Sequence, residues 1–96
     1  MATCNSLEEV RENIDRLDRD IVALLVQRSH FVHEAARLKT NVADIVVPAR
    51  IEQIIGKVRL TAQEMGADPD LMERLYRSLI DGFIWDEGRT WRSLNP

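Results

Sequence analysis

The sequence predicts an all-α fold of three helices, one long, one short and one of medium length. Apolar residues recur along most of the chain at spacings of three and four, which is the helical period. No run of alternating polar and apolar residues indicates a strand, and glycine and proline are scarce among the 96 residues. A chain of this length forms one small domain, expected to span residues 1–96.

The first helix is predicted to run from about Leu7 to about Thr40. Ser6 followed by Glu9 is a capping box, and residues 1–6 are expected to be disordered or extended. Nothing within the helix breaks it. Its apolar residues form a stripe, here called the seam, at Leu7, Val10, Ile14, Leu17, Ile21, Leu24, Phe31, Ala35 and Leu38. The alternating spacing of three and four is typical of a long helix packed along its length.

The length of this helix predicts an obligate homodimer. At ~1.5 Å per residue it would be on the order of 50 Å long. A compact chain of this size is only about 30 Å across. The seam therefore cannot be buried by the rest of its own chain, and a second copy must cover it.

The second helix is predicted to begin at Pro48, after a short loop at 41–47. Proline is tolerated in the first turn of a helix, and Gly66 is a natural stop. The apolar face consists of Ile51, Ile54, Ile55, Val58, Ala62 and Met65.

The third helix is predicted to begin at Asp68 and Pro69, an N-cap followed by a first-turn proline, and to end near Ser93. Its apolar positions are Met72, Leu75, Tyr76, Leu79, Ile80, Phe83, Ile84 and Trp91. The apolar stripe and both tryptophans, Trp85 and Trp91, are most simply core.

Arg28 occupies a position of the seam where a leucine is expected. A guanidinium group keeps its charge, so its burial requires an anionic partner. The residues four positions away on either side are Leu24 and Val32, which supply no anion. The partner is therefore a distant side chain or an anionic ligand, and the pattern leaves both open.

Three further cations can gather near Arg28. Lys39 lies eleven residues on, close to three full turns, with a Cα separation of about 16 Å. Arg50 is in the first turn of the second helix. Arg11 is roughly 25 Å from Arg28 along the same helix, so it would reach this site only from an antiparallel partner. Four such cations suit a ligand with two carboxylates, although each of Arg11, Lys39 and Arg50 taken alone is more often a solvated surface cation.

Glu87 is a second charge in an apolar stripe, four residues after Phe83 and four before Trp91. A carboxylate there is either paired with a cation or protonated by its surroundings. A salt bridge to Arg28 within the core and a catalytic role both fit the pattern.

Composition argues against several classes of function. The net charge of −3 gives no reason to expect nucleic-acid binding, and no 18-residue apolar run predicts a membrane span. The segment 1–6 has no features of a secretory signal. Cys4 is the only cysteine and cannot form an internal disulfide, which favours a reducing, cytoplasmic location. The Glu-x-x-His spacing of a di-iron bundle is missing, so no metal is expected.

The first helix resembles the all-helical class of chorismate mutase, together with the related isochorismate pyruvate-lyase. The resemblance rests on VRENID at 10–15, Leu17-Asp18, LLVQR at 24–28 and Lys39. It extends over roughly Leu7 to Trp91. It implies an intertwined dimer of three-helix chains in which Arg28, Lys39 and Arg50 of one chain meet Arg11 of the other.

Three positions depart from the pattern of the mutases. They commonly have a glutamate directly after the arginine of the second helix, where this chain has Ile51, and an acidic residue a few positions earlier, where it has Val47. They also often have Ser or Tyr where this chain has Phe83. Ile51, the proline two residues before Arg50 and the short loop are closer to the pyruvate-lyase. These departures leave the predicted dicarboxylate clamp intact.

The resemblance implies an enzyme that converts chorismate to prephenate, a pericyclic reaction that needs no nucleophile, metal or redox cofactor. Lys39 is expected to supply a cation and Glu87 a hydrogen-bond donor to the ether oxygen, on which charge develops. The expected substrate-binding residues are Arg11, Arg28, Arg50, Ile51 and Phe83. The alternatives are an isochorismate pyruvate-lyase that forms salicylate and pyruvate, and a non-catalytic helical dimerisation or binding module.

Overall fold

The computed structural model describes residues 3–96 and has the three predicted helices. They are α1 (Leu7–Leu38), α2 (Pro48–Glu64) and α3 (Pro69–Leu94), with a short 3-10 helix at Val42–Asp44. No strand occurs within this range, so the all-α prediction is confirmed. Met1 and Ala2, part of the N-terminal segment expected to be disordered or extended, lie outside the described residues. None of the helices in residues 3–96 is long and apolar enough to cross a membrane.

The capping box at the start of α1 is confirmed. The Ser6 hydroxyl accepts a hydrogen bond from the Glu9 backbone N–H at 3.1 Å. The Glu9 carboxylate accepts in return from the backbone N–H of Asn5 at 3.0 Å, one residue earlier than in the usual motif. Both bonds satisfy donors near the helix start, and Glu8 and Glu9 place negative charge at its positive end.

The end of α1 corrects the prediction that the helix continues to about Thr40. The helix ends at Leu38, and the backbone N–H of Lys39 donates to the Ala36 carbonyl at 3.3 Å, a tighter i to i+3 turn. Lys39 is therefore the first residue beyond the helix rather than a member of its face. The Asn41 side chain accepts from the Ala43 N–H at 3.0 Å and begins the 3-10 helix.

The described chain divides into two compact units, with the break between Phe31 and Val32. In the first unit, which is almost entirely the N-terminal part of α1, no described residue is buried. The seam is exposed from Leu7 to Leu24, and Leu24 itself is 63% exposed. Isolated helices in water are marginal, and in proteins most of their stability comes from packing of the apolar face.

The second unit contains α2 packed against α3. Its buried apolar residues are Ala36, Ile45, Ile55, Ala62 and Ile80. The turn between the two helices is as predicted. Gly66 has a φ of 72°, a left-handed conformation that glycine adopts without strain, and Asp68 caps α3 by accepting from the Asp70 N–H at 2.9 Å.

The expectation that both tryptophans belong to the core is wrong for Trp85. Its side chain is 61% exposed, and the Arg89 guanidinium lies 3.9 Å from the centre of its ring. Trp85 directly follows Ile84, and one residue turns about 100° around a helix, so it leaves the stripe that Ile84 and Glu87 share. Met65 and Leu75, also predicted to be apolar face residues, are exposed as well.

Ion pairs connect α2 to α3 on the surface. Arg77 binds both carboxylate oxygens of Glu52, at 2.9 and 3.0 Å, and also Glu73 at 2.8 Å. Arg59 binds Asp70 at 3.0 Å and Glu73 at 2.9 Å. The hydrogen bonds from Arg77 hold the pKa of both Glu52 and Glu73 below the ordinary value.

Candidate active site

The structure brings Lys39 and Glu87 together, the two residues predicted to act on the reacting atoms. The Lys39 ammonium donates to Glu87 Oε2 at 2.6 Å. Their side chains are only 24% and 10% exposed, so the bond is largely shielded from water. A charge-assisted hydrogen bond of this kind is stronger than a neutral one, and it fixes both groups at one point.

Each partner reaches this point from a different element. Lys39 leaves the end of α1, while Glu87 lies three-quarters of the way along α3, on the same stripe as the buried Ile80. An ammonium group has three N–H donors, and Glu87 takes one of them. The others are available to an oxygen of a bound molecule, so the pair can present positive charge and hydrogen-bond donors to a small anionic ligand.

Trp91 supports Lys39 from the same face of α3. Its indole N–H donates to the backbone carbonyl of Lys39 at 3.0 Å. Reasoning from sequence placed Trp91 in the core and missed this bond. The spacing of four between Glu87 and Trp91 puts the two side chains next to each other on one helix face, but it does not indicate a bond to the Lys39 backbone.

A second link between the end of α1 and α3 lies one residue from Glu87. His33 Nε2 is 2.7 Å from Asp86 Oδ2, and Arg89 donates to Asp86 Oδ1 at 2.8 Å. The Arg89 hydrogen bond, together with that from His33, lowers the pKa of the Asp86 carboxyl. Asp86 is thus an anion that holds the C-terminal part of α1 beside α3.

Arg50, Ile51 and Phe83 belong to the same unit. Arg50 is exposed in the first turn of α2 and donates to the Gln53 side chain at 2.6 Å. Ile51 is half-buried and lines an open groove of about 250 Å³. The other groove residues are Pro48, Glu52, Arg77, Ile80 and Asp81. Phe83 is half-buried on α3, one turn before Glu87.

Arg11 and Arg28 lie on the first unit of the chain, within α1. Arg11 is exposed. Arg28 is half-buried, whereas its seam neighbours Leu24 and Phe31 are 63% and 77% exposed. The convergence of the four cations on one ligand stays a prediction.

Comparison with known proteins identifies a family. The model of the family described as chorismate mutase type II matches residues 10–87, which include Arg11, Arg28, Lys39, Arg50 and Glu87.

Three relatives have established names. The isochorismate pyruvate lyase of Pseudomonas aeruginosa is 35% identical over 89 residues, which cover 93% of this chain and 88% of the relative. The chorismate mutase of Methanocaldococcus jannaschii is 26% identical over 76 residues, which cover 78% of this chain and 77% of the relative. The T-protein of Haemophilus influenzae is 30% identical over 81 residues, 83% of this chain but only 22% of that longer protein.

Proposed function

The chain belongs to the chorismate mutase type II family, and from that premise we propose that it is a chorismate mutase-type enzyme that converts chorismate to prephenate. The observation that carries the proposal is the shielded bond of 2.6 Å between Lys39 and Glu87. In the proposed reaction this bond fixes the Lys39 ammonium beside the ether oxygen, which gains negative charge as the C–O bond breaks.

The substrate would be held by its two carboxylates. Arg28 and Arg50 of one subunit, with Arg11 of the partner subunit, form the clamp, while Ile51 and Phe83 offer apolar surface to the ring and the enolpyruvyl group. Holding both carboxylates selects the folded substrate shape in which the enolpyruvyl carbon lies over the ring. Selection of a reactive conformer can supply a large part of a rate enhancement without covalent chemistry.

The chemical step is a concerted rearrangement in which one C–C bond forms as the ether C–O bond breaks. No proton or electron leaves the substrate. Negative charge builds on the ether oxygen, and the Lys39 ammonium stabilises that charge more strongly in the transition state than in the substrate. Glu87 holds this ammonium in place in the free enzyme, and it is the proposed hydrogen-bond donor to the same oxygen.

The proposed enzyme is a homodimer in which the seam of α1 is covered by a second copy. The seam is exposed in a single chain, and α1 up to Phe31 has no buried residue of its own. Light scattering should give the mass of two chains. Ile21→Glu, on the seam, should abolish the dimer, whereas Val22→Glu, equally apolar and exposed but off the seam, should keep it. A monomeric wild-type protein would contradict the arrangement.

The second candidate is an isochorismate pyruvate-lyase. It is favoured by the 35% identity to a protein of that name over nearly the whole chain, and by the apolar Ile51 directly after Arg50. In this reaction isochorismate transfers a ring hydrogen to the enolpyruvyl carbon as the C–O bond breaks, which yields pyruvate and salicylate. The same clamp and the same Lys39 cation serve this reaction.

One assay separates the candidates. The purified protein is incubated with chorismate and, separately, with isochorismate, and prephenate, salicylate and pyruvate are measured. Prephenate from chorismate supports the mutase, and salicylate with equal pyruvate from isochorismate alone supports the lyase. If neither substrate is converted, the proposed activity is wrong, and the non-catalytic dimerisation or binding module is the alternative that remains. Lys39→Met serves as the control that any measured turnover comes from this site.

A further inference from the structure

Lys39 is held at two points by one face of α3. Glu87 binds its ammonium at 2.6 Å, and the indole N–H of Trp91 binds its backbone carbonyl at 3.0 Å. Glu87 and Trp91 are four residues apart, so the two bonds come from adjacent turns of the same helix.

The position of Lys39 in the chain makes the second bond important. Lys39 lies just beyond the end of α1, and its own N–H makes only a long 3.3 Å bond to Ala36. Backbone carbonyls at a helix end lack partners within the helix. The Trp91 indole supplies a partner for the Lys39 carbonyl and so ties the backbone of Lys39 to α3.

We propose that Trp91 is a positioning residue for catalysis: its indole N–H fixes the Lys39 backbone so that the ammonium points at the reacting oxygen. This inference rests on the proposed function and adds to it a residue that does not touch the substrate. Trp91 is half-buried, in contrast to the exposed Trp85 on the same helix. The chain has these two tryptophans only, so Trp85 provides a matched control.

The test is Trp91→Phe, which keeps an aromatic ring and removes the N–H. We expect kcat to fall about five-fold, the rate equivalent of one neutral hydrogen bond, because Lys39 is less well placed in the transition state. KM should change by less than about two-fold, because the arginine clamp binds the carboxylates equally in both proteins. Trp85→Phe should change neither constant.

A double-mutant cycle distinguishes positioning from a purely structural role. If Trp91 acts through the ammonium, Trp91→Phe has no further effect on kcat once Lys39 is methionine. An equal five-fold loss in both backgrounds would overturn the proposal, as would an unchanged kcat in the single variant.

A measurement independent of turnover keeps this inference separable from the proposed function. Lys39 and Lys57 are the only lysines, so the NMR signal of the Lys39 side-chain Cε is readily assigned. Trp91→Phe should shift that signal and Trp85→Phe should not.

The Trp91 indole N–H should also exchange with solvent more slowly than that of Trp85. Equal exchange rates, or a Lys39 signal unmoved by Trp91→Phe, would reject the positioning role. If the wild-type protein converts neither substrate, the proposed activity fails and these spectra alone decide whether Trp91 places Lys39.

Discussion

At the scale of single residues, the chain places an ammonium and a carboxylate together where little water reaches them. Removing one member of such a pair leaves the other charge uncompensated, which costs roughly 3–5 kcal/mol when the pair is fully buried. Lys39 and Glu87 retain 24% and 10% exposure, so the cost here falls below that range.

Lys39→Met should lower kcat by about 100- to 1,000-fold, the usual effect of removing a group that stabilises an oxyanion. Methionine keeps much of the side-chain volume, so the helical circular dichroism should be retained. Lys57→Met is the matched control, since Lys57 is exposed on α2 and is the only other lysine. A Lys39→Met enzyme with more than about a tenth of wild-type kcat would exclude Lys39 as the transition-state cation.

Glu87→Gln and Glu87→Ala together test the donor role of Glu87. The glutamine amide can donate a hydrogen bond, so kcat should be largely retained in Glu87→Gln. Alanine can neither donate nor bind the Lys39 ammonium, so Glu87→Ala should lower kcat by about 100-fold. An equal loss in both variants would exclude the donor role.

The residue types of the site were predictable, but their contacts were not. Glu87 stood out because a carboxylate interrupts an apolar stripe. Lys39 stood out because it lies eleven residues after Arg28, close to three full helical turns. Their meeting at 2.6 Å depends on how the chain beyond α1 packs on α3, which local patterns do not encode. Trp91 was missed because an apolar ring at a stripe position indicates core, and nothing in the sequence points to a carbonyl within reach of its N–H.

At the scale of elements, capping chemistry determines where helices begin, and local sequence therefore predicts these boundaries well. Ser6, Pro48 and Asp68 mark the three starts, and Gly66 marks the end of the α2 region. The end of α1 was placed about two residues too late, because no glycine or proline follows Leu38 directly. The 3-10 helix at 42–44 was missed for a similar reason, since it depends on one side-chain bond from Asn41.

The ion pairs between α2 and α3 should make stability depend on pH. Arg77 lowers the pKa of Glu52 and Glu73 from 4.5, so its contribution is present above that value and is lost as the pH falls through the lowered pKa values. Arg77→Met should lower the melting temperature by a few degrees at neutral pH, a small effect because these side chains are partly exposed to water.

The control for this prediction is Arg74→Met, since Arg74 is an exposed arginine on the same helix. The gap between wild-type and Arg77→Met melting temperatures should close in acid, while Arg74→Met should follow the wild type throughout. A gap of constant size down to the acid limit would mean that the loss comes from packing of the arginine stem.

At the scale of the whole molecule, the proposed active site is shared between subunits. The length of α1 was enough to predict a partner, because a seam that long exceeds any surface that a 96-residue chain can offer. The position of Arg11 of the partner subunit within the site does not follow from length. It depends on the register in which two copies of α1 pack.

Mixing two inactive variants tests this sharing. Arg11→Ala and Arg28→Ala should each lose most activity while remaining folded dimers. When equal amounts are unfolded and refolded together, about half of the dimers should be mixed, and each mixed dimer has one complete and one doubly altered site. Activity should therefore recover to about a quarter of the wild-type value.

The matched control is a mixture of Arg19→Ala with wild type, since Arg19 is an exposed arginine of α1 that the site does not use. It should stay fully active. If the refolded mixture of Arg11→Ala and Arg28→Ala gains nothing over its components, the two arginines serve the same subunit.

The absence of any buried residue among the described part of α1 up to Phe31 has a consequence at the bench and in the cell. In the proposed dimer the second subunit covers this stretch, so we expect dissociation and local unfolding of the helix to occur together. Specific activity should then decline on dilution, and the same stretch should be the first target of a protease. Enzyme concentration thus becomes a variable that every kinetic measurement on this protein has to state.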